Sequence, residues 1–401
     1  MESLRELYKI GVGPSSSHTM GPQRAAQYIK EKYPDAHHIH VDLHGSLALT
    51  GKGHLTDYII EKTFADMPVS FSFQSKELPM HPNGMIFHVY DNEDHQIQAI
   101  EVYSIGGGSI CFKDNLVAEP KHVYQQNTMS EVLEYVDKNS ISLYDYIIEN
   151  EDDEFERYLY EILEAMFQCV ENGLRKEGKI HGKLQLKRVA KSIFQQAQNT
   201  RREADRERLF ISSYAYAVAE ENADGGVIVT APTCGASGIM PAVLYYCYKQ
   251  LNIEKKDLIK ALAVGGLFGN IVKQNATISG ADGGCQAEVG TACAMAAATM
   301  AWIYELNNSL IEYAAEMGLE HNLGLTCDPV GGYVQIPCIE RNGYGSLRAL
   351  DAAMLAKQLG YLRKNKVSFD AIVRVMKETG KDLSSAYKET SLGGLAKEFG
   401  L

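Results

Sequence analysis

The pattern of apolar and polar residues changes character near residue 150. Before that point, short runs in which apolar and polar residues alternate lie at 39–43, 69–74, 85–91 and 97–104, separated by Pro, Asn, Asp and Gly. Alternation with a period of two is typical of half-buried strands, whereas residues 20–32 have helical periodicity. The pattern therefore predicts a small mixed α/β unit over residues 1–150.

From residue 155 onward the apolar positions recur with helical spacing. The predicted helices cover 156–173, 184–198, 206–221, 236–251, 256–272, 287–305, 308–318 and 346–360. Ser346 is the expected N-cap of the last of these helices and Gly360 its expected stop. With the acidic stretch 149–154 as the boundary, the prediction is an α+β protein in which a mixed α/β N-terminal domain (1–150) is followed by a largely all-α domain (155–401) whose irregular loops carry the function.

Composition narrows the classes of protein that fit this pattern. Hydrophobic residues make up 45% and charged residues 22% of the 401 residues, which is ordinary for a globular protein. The net charge of −12, without a strong basic patch, argues against a nucleic-acid partner. The chain has no signal-peptide pattern and no apolar run long enough for a membrane span, so we expect a cytoplasmic protein with no membrane partner. Its eight cysteines are too dilute for a disulfide scaffold.

Two loops of the first unit contain candidate catalytic residues. Ser15, Ser16 and Ser17 precede a predicted helix, where hydroxyl and N–H groups suit a carboxylate, although simple helix capping fits the same residues. His18 follows them directly. His54 stands in a glycine-rich turn, and its imidazole is suited to general-base catalysis because its usual pKa is near neutrality; a structural histidine is the alternative interpretation.

A third loop, Thr230–Gly238, leads into a predicted helix. Backbone amides in such a turn can hold a carboxylate, and Thr233 is the candidate side chain for substrate binding there. Cys234 at the start of a helix is a candidate nucleophile. A purely structural turn fits the same residues.

Three of the cysteines lie in turns rich in glycine and proline rather than on apolar helix faces: Cys285, Cys327 and Cys338. The chain has no Cys-x-x-Cys pair, which disfavours a zinc ribbon or a redox dithiol. Loop thiolates fit an iron–sulfur cluster, and three ligands instead of four would leave one iron open as a Lewis acid for a substrate. On spacing alone, structural cysteines remain the alternative.

Five stretches, in order, resemble the bacterial iron–sulfur L-serine dehydratase (L-serine ammonia-lyase) family. They are residues 9–22, 45–54, 230–244, 279–297 and 320–342. The resemblance covers nearly the whole chain and implies a β-type N-terminal domain and a helical catalytic domain in one chain. It also implies a [4Fe–4S] cluster held by Cys285, Cys327 and Cys338, with one iron that lacks a protein thiolate. The chain departs from the family's pattern at Cys234, where many relatives have Asn, at Asp282, where relatives often have Glu, and in its cysteine-free tail 392–401.

The same resemblance implies a reaction. L-Serine would undergo β-elimination to aminoacrylate, which becomes an imine and then pyruvate and ammonia. We expect His54 to be the base, with His18 as second candidate. The residues expected to bind the substrate carboxylate are Ser15, Ser16, Ser17, Thr233 and Arg341. A homodimer is expected by analogy, and L-threonine or L-cysteine remains open as a substrate.

Two other classes of protein compete with this interpretation. A pyridoxal-phosphate dehydratase needs a Schiff-base lysine and a glycine loop for the phosphate. Residues 105–109 superficially offer the loop, but no lysine lies in a matching context, so no pyridoxal phosphate is expected. A non-catalytic iron–sulfur sensor would need a nucleic-acid or partner surface, which the acidic charge does not favour.

Overall fold

The strands of the protein form one mixed sheet and one small ribbon. The computed structural model describes residues 1–113 and 121–399. Its strands are β1 Ile10–Val12, β2 His38–His44, β3 Val69–Gln74, β4 Gly84–Tyr90, β5 Gln96–Gly106, β6 Ser109–Phe112 and β7 Val227–Val229. The five-stranded sheet has the order β3-β2-β4-β5-β6, with β2 parallel to β3 and the other pairs antiparallel. β1 pairs with β7 and so ties the N-terminal segment to the second half of the chain.

Helices dominate the rest of the fold, which confirms the α+β class. They are α1 Gly21–Lys32, α2 Ser46–Thr50, α3 Thr56–Phe64, α4 Met129–Asn139, α5 Leu143–Asn150, α6 Phe155–Arg175, α7 Ala190–Asn199, α8 Glu203–Ala223, α9 Ile239–Gln250, α10 Lys255–Asn275, α11 Gly280–Gly283, α12 Thr291–Ile303, α13 Asn308–Glu320, α14 Cys338–Leu359, α15 Phe369–Asp382 and α16 Gly394–Glu398. Two π-helical turns, Ser16–Met20 and Gln286–Gly290, lead directly into α1 and α12. Such turns are rare and are frequent at functional sites.

Helices α1 and α3 pack against one face of the sheet, and the other face is half-buried. Strand β2 alternates as predicted, with Ile39, Val41 and Leu43 buried against α1 and α3. The residues between them, among them His40 and Asp42, lie half-buried on the other face. The apolar residues of the period-two pattern are thus the buried ones, because successive side chains of a strand point to opposite faces of the sheet.

A second and larger core lies between the helices. The alanine-rich α12 is almost wholly buried between α9, α10, α13 and α14, because small side chains let neighbouring helices approach closely. Leu4, Leu7, Val132 and Ile147 belong to this core as well. The division into domains 1–150 and 155–401 stays a prediction. In the structure, residues from both ends of the first unit pack into the helical core. Among the described residues, no helix combines the length and the apolar character that crossing a bilayer requires.

The predicted N-cap at Ser346 is wrong. Helix α14 begins at Cys338, and the Ser346 hydroxyl donates to the carbonyl of Asn342 inside the helix, at 2.8 Å. Gly345 lies inside this helix, and a Cβ there would lie 2.6 Å from the Ile239 side chain. The absence of a side chain there lets α14 pack closely on α9. Gly360 is the C-cap, as predicted.

The start of the predicted helix 184–198 is also wrong, since α7 begins at Ala190. Residues 180–186 form a closed turn in which the Ile180 N–H donates to the Leu186 carbonyl at 2.8 Å. Helix α15 was not predicted at all. These differences lie at helix ends and in the C-terminal part, where local periodicity carries little information about packing.

Candidate active site

Residues from both ends of the chain line one small and largely enclosed cavity. Its lining residues are Pro14, Ser15, His54, Gly235, Cys285, Glu288, Val289, Cys327, Pro329, Val334, Cys338 and Glu389. The first three come from the N-terminal unit and the others from the helical part. The cavity therefore lies where the two parts of the chain meet, and it contains the predicted base together with the three predicted cluster ligands.

Local structure places the three sulfur atoms on one side of the cavity. Cys338 is the first residue of α14, and Cys285 directly precedes the π-helical turn that leads into α12. Both cysteines therefore lie at helix N-termini, where unpaired N–H groups and the helix dipole favour negative charge. Cys327 lies in a loop whose backbone is held on both sides, because its N–H donates to the Tyr387 carbonyl and its carbonyl accepts from the Glu389 N–H, each at 2.7 Å.

The three thiols differ in acidity. A hydrogen bond with Cys327, and then the Arg341 guanidinium, outweigh burial and lower the pKa of Cys285 to about 6. The pKa of Cys327 is raised by its hydrogen bond with Cys285 and by burial. The pKa of Cys338 is raised by burial and then by the charge of Cys285. The Cys285 thiol therefore loses its proton readily. The negative charge of its thiolate disfavours ionisation of the other two thiols unless a cation compensates that charge.

This donor set fits an iron–sulfur cluster. The sulfur atoms of Cys285 and Cys327 and a carboxylate oxygen of Glu288 all lie within 4.8 Å of one another. Arg341 is fixed by a hydrogen bond from Nη1 to the Thr326 carbonyl at 2.6 Å, and the cysteines raise its pKa, so it stays charged beside them. Soft thiolates with a compensating cation nearby suit iron, and three rather than four of them leave one coordination site open.

Glu288 is a cavity residue that sequence reasoning missed. Thr233 donates its hydroxyl to Glu288 Oε1 at 2.7 Å, and the Cys285 sulfur lies 4.0 Å from the other carboxylate oxygen. Burial, and then the charge of Cys285, raise the pKa of Glu288 to about 8. Thr233, predicted to bind substrate, thus contacts Glu288 and is not among the lining residues. The available signal was the position of Glu288, three residues after Cys285 on the same turn.

His54 lines the same cavity as the thiols and has a free lone pair. Its Nδ1 lies 2.9 Å from the Thr50 carbonyl, which can only accept, so Nδ1 carries the proton. Its Nε2 is buried, lacks a hydrogen-bond partner among the described residues, and lies 3.6 Å from Glu389 Oε1. Burial lowers the pKa of His54 to about 4, so the imidazole is neutral at pH 7. A neutral, positioned imidazole with an unused lone pair is suited to accept a proton.

His18 lies behind His54 and is not among the lining residues. The two rings stack with their centroids 4.4 Å apart. His18 Nε2 lies 3.0 Å from the hydroxyls of Ser46 and Thr50, which donate their own protons to the carbonyls of Glu389 and Ser46. His18 Nε2 therefore donates, which leaves the Nδ1 lone pair 3.4 Å from Glu389 Oε1. Burial, and then the neighbouring His54, lower the pKa of His18.

Glu389 connects the two sides of the cavity, and no sequence pattern marked it. Its backbone holds Cys327, while its carboxyl group lies between the two histidines. Burial, followed by the charges of Glu288 and Cys285, raises the pKa of Glu389 well above its usual range. The segment that carries it is anchored on Asp328, whose Oδ2 accepts from the Leu395 N–H at 2.8 Å. Gly394, with φ of 55°, permits this contact, because a Cβ there would lie 1.9 Å from the same oxygen.

The remaining predicted residues take varied positions. Ser15 lines the cavity and caps the π-helical turn, where its hydroxyl accepts from the His18 N–H at 3.0 Å. Ser16 and Ser17 are buried within that turn and do not line the cavity. The Cys234 sulfur packs 3.4 Å from the Met20 sulfur, and burial raises the pKa of its thiol, which disfavours a nucleophilic role.

Comparison with known sequences identifies the family. Residues 86–396 match the family model described as "Serine dehydratase alpha chain", and residues 3–61 match that described as "Serine dehydratase beta chain". This protein belongs to the serine dehydratase family. It is 39% identical to the L-serine dehydratase of Streptomyces coelicolor, with 98% of each chain covered. It is 38% identical to that of Haemophilus influenzae and 37% identical to L-serine dehydratase 1 of Escherichia coli, with 99% of each chain covered in both cases.

The cavity joins the two family segments in a single chain. The beta-type segment contains Ser15, His18 and His54, and the alpha-type segment contains the three cysteines and Glu389. Serine dehydratases of this alpha and beta type generally depend on iron and sulfur. In this chain the beta-type segment thus supplies the two histidines and the alpha-type segment the three cysteines of the site.

Proposed function

We propose that this protein is an L-serine dehydratase, which converts L-serine to pyruvate and ammonia. Its relatives of similar length are L-serine dehydratases. The observation that carries the proposal is the free Nε2 lone pair of His54, which faces the same buried cavity as Cys285, Cys327 and Cys338. A base, together with thiols that can hold a Lewis-acidic cluster, suits the elimination of water from an amino acid.

In this proposal Cys285, Cys327 and Cys338 hold a [4Fe–4S] cluster. When bound, the cluster supplies one iron without a protein thiolate, a Lewis acid that makes the hydroxyl a better leaving group. Arg341 balances the charge of the thiolates beside it. The predicted set for the substrate carboxylate is Ser15, Ser16, Ser17, Thr233 and Arg341. From it we keep Ser15, which lines the cavity, and Arg341, whose charge lies beside the thiolates; Ser16, Ser17 and Thr233 do not line the cavity.

The proton chemistry follows from the tautomer of His54. Nε2 takes the Cα proton of the substrate, while the hydrogen bond from Nδ1 to the Thr50 carbonyl keeps the ring in place. The carboxyl group of Glu389, 3.6 Å from Nε2, stabilises the imidazolium that forms. His18 is the second candidate for the base. Loss of hydroxide from Cβ then yields aminoacrylate, which tautomerises to the imine and hydrolyses to pyruvate and ammonia.

An anaerobic assay of the cluster-loaded protein tests this function. We expect pyruvate and ammonia in equal amounts from L-serine, with iron, sulfide and activity lost together on exposure to air. L-Threonine and L-cysteine, assayed in parallel, test the alternative substrates. Protein that carries a full cluster but forms no pyruvate from L-serine contradicts the proposal.

We further propose that the protein acts in the cytoplasm as a homodimer built from the domains 1–150 and 155–401. One chain already contains every residue assigned to the cavity, so dimerisation is not needed to complete the site. Sedimentation of the cluster-loaded protein measures the oligomeric state, and limited proteolysis near residue 150 tests the boundary.

A further inference from the structure

The histidine side of the cavity contains a second set of potential metal ligands, separate from the thiols. His18 Nδ1 lies 3.4 Å and His54 Nε2 lies 3.6 Å from Glu389 Oε1. One ligand atom from each of the three residues falls within 4.8 Å of the others. Their side chains are 0%, 1% and 7% exposed. Three distant segments of the chain thus bring two imidazoles and a carboxyl group together away from water.

The separations within this set suit an ion better than direct hydrogen bonds. Nitrogen–oxygen hydrogen bonds are about 2.7–3.2 Å long, and both distances to Glu389 Oε1 are longer than that. Zinc binds histidine nitrogen and carboxylate oxygen at about 2.0–2.2 Å, so two ligands of a tetrahedral ion lie about 3.4 Å apart. The observed 3.4 and 3.6 Å match that spacing.

The tautomers leave lone pairs on the nitrogens nearest Glu389. His54 donates from Nδ1 to the Thr50 carbonyl and His18 donates from Nε2 to two hydroxyls, so the unprotonated nitrogens are His54 Nε2 and His18 Nδ1. The Ser15 hydroxyl also lies 3.5 Å from His18 Nδ1. Metal-binding histidines usually donate their other N–H in this way. His54 Nε2 and Glu389 Oε2 are buried without a hydrogen-bond partner among the described residues. Buried polar atoms are rarely left so, which indicates that something absent from the polypeptide completes the group.

We propose that His18, His54 and Glu389 bind one divalent transition-metal ion, such as Zn²⁺, and that the bound ion inhibits the enzyme. Two imidazoles with one carboxylate favour ions of this class over Mg²⁺ and Ca²⁺, which prefer oxygen ligands. Inhibition follows because the ion occupies the Nε2 lone pair that the base needs. That consequence rests on the proposed function, whereas the binding itself does not.

The outer face of the sheet supplies the background that an experiment must remove. There, His40 Nε2 and His88 Nε2 lie 3.2 and 2.8 Å from the two oxygens of Asp42. These are ordinary hydrogen bonds between partly exposed side chains. A Zn²⁺ ion would have to replace these hydrogen bonds, so we expect it to bind there only weakly. The double variant His40→Gln/His88→Gln removes this group without touching the cavity and is the reference protein.

Binding is measured by titrating the anaerobic, cluster-loaded reference protein with Zn²⁺ against a chromophoric chelator. We expect one tight ion per chain with no change in iron content. Adding Glu389→Gln or His18→Gln should weaken binding at least about tenfold, whereas Glu389→Asp, which keeps the carboxylate, should retain part of it. Circular dichroism and the thermal midpoint establish that each variant is folded. X-ray absorption at the zinc edge should report only nitrogen and oxygen neighbours.

The outcomes separate this inference from the proposed function. Sulfur neighbours around zinc, or a tight site that survives Glu389→Gln, would overturn the assignment of the ligands. Full activity with the site occupied would overturn the inhibition, while activity that falls with occupancy and returns with a zinc chelator supports it. If the protein has no dehydratase activity at all, the binding and absorption results still decide whether the three residues form a metal site.

Discussion

The molecule contains two groups in which a carboxylate lies between two histidines, and they differ in almost every physical respect. On the outer face of the sheet, Asp42 accepts from His88 at 2.8 Å and contacts His40 at 3.2 Å, and the Ser72 hydroxyl donates to it. In the cavity, Glu389 lies 3.4 and 3.6 Å from the two histidines, and one of its oxygens has no partner among the described residues. The outer group is partly exposed, and its carboxylate has hydrogen-bond partners. The inner group is buried, and one of its carboxyl oxygens has none among the described residues.

The two carboxyl groups have pKa values shifted in opposite directions. At Asp42, burial raises the pKa, but the hydrogen bonds from Ser72 and His88 outweigh it and lower the pKa overall. At Glu389, burial dominates, and the charges of Glu288 and Cys285 add to it, so the pKa is raised. The difference teaches that burial with unfilled hydrogen-bonding capacity, rather than the type of residue, distinguishes a reactive group from a structural one.

The largest effect should come from removing a thiol opposite the inner group. We expect Cys285→Ser to lose the cluster and to lower activity by more than about a hundredfold. Loss of a residue that merely supports a metal ligand already lowers metal affinity or activity by about 10- to 100-fold, and loss of the ligand itself should lower it further. Iron content and the anaerobic assay measure this. Cys111→Ser, on β6 outside the cavity, is the matched control and should keep both properties. A Cys285→Ser protein with full iron and activity would refute the assignment.

Exchanging a histidine in each group tests the comparison directly. His54→Gln should lower kcat by about 10²–10⁴-fold, the usual contribution of a general base, while iron content stays unchanged. His88→Gln on the outer face should leave kcat as it is. Equal losses in the two variants would mean that the buried histidine is no more important than the exposed one.

Glu389 itself should have an intermediate effect. Glu389→Gln keeps the shape of the side chain but removes the ionisable group beside His54 Nε2, so we expect kcat to fall by about ten- to a hundredfold, or about 1.4–2.7 kcal/mol. With α-deuterated L-serine the isotope effect on kcat should increase, because proton abstraction becomes slower. Glu398→Gln, an exposed acid on the same segment, is the control. An unchanged isotope effect and kcat would restrict Glu389 to a structural role.

Of these substitutions, Asp42→Asn should have the smallest effect, and that effect should be on stability rather than on activity. At pH 7 we expect the free energy of unfolding to fall by about 0.5–1 kcal/mol, with kcat unchanged. Because the folded pKa of Asp42 lies below its unfolded value, its contribution is fully present above the unfolded pKa of about 3.9 and disappears as the pH falls through the folded value. Denaturant titrations of both proteins should therefore converge in acid, and a gap that widens there would contradict the sign of the shift.

Local patterns predicted most of the fold. The alternation at 39–43 identified β2, because it reports directly which face of the strand is buried. The apolar stretch 287–305 identified α12, which is buried on nearly all sides. The start of α14 was predicted at Ser346 and is wrong. Gly345 lies inside the helix, although glycine has a low helix propensity. Its function is to let two helices approach closely, which depends on Ile239 in another helix rather than on its neighbours in sequence.

The candidate site was predicted in part. Loop context singled out the three cysteines and His54 as candidates, and the resemblance to a family implied the cluster and favoured His54 as base; the structure brings all four residues to one cavity. Their roles as ligands and base remain predictions. Glu288 and Glu389 were missed, since an acidic residue in a helical turn or a polar tail looks like a solvated one. Only the packing of distant segments around them reveals that they are buried.

By itself, the sequence determined the succession of strands and helices, the acidic charge and the residues whose chemistry fits an iron–sulfur lyase. The tertiary structure decided which histidines and carboxylates are sealed from water and which remain satisfied at the surface. The Ser46 hydroxyl, for example, donates to the carbonyl of Glu389 across 343 positions of the chain. Burial and hydrogen-bond partners set the reactivity of a side chain, and both come from contacts that no local pattern encodes.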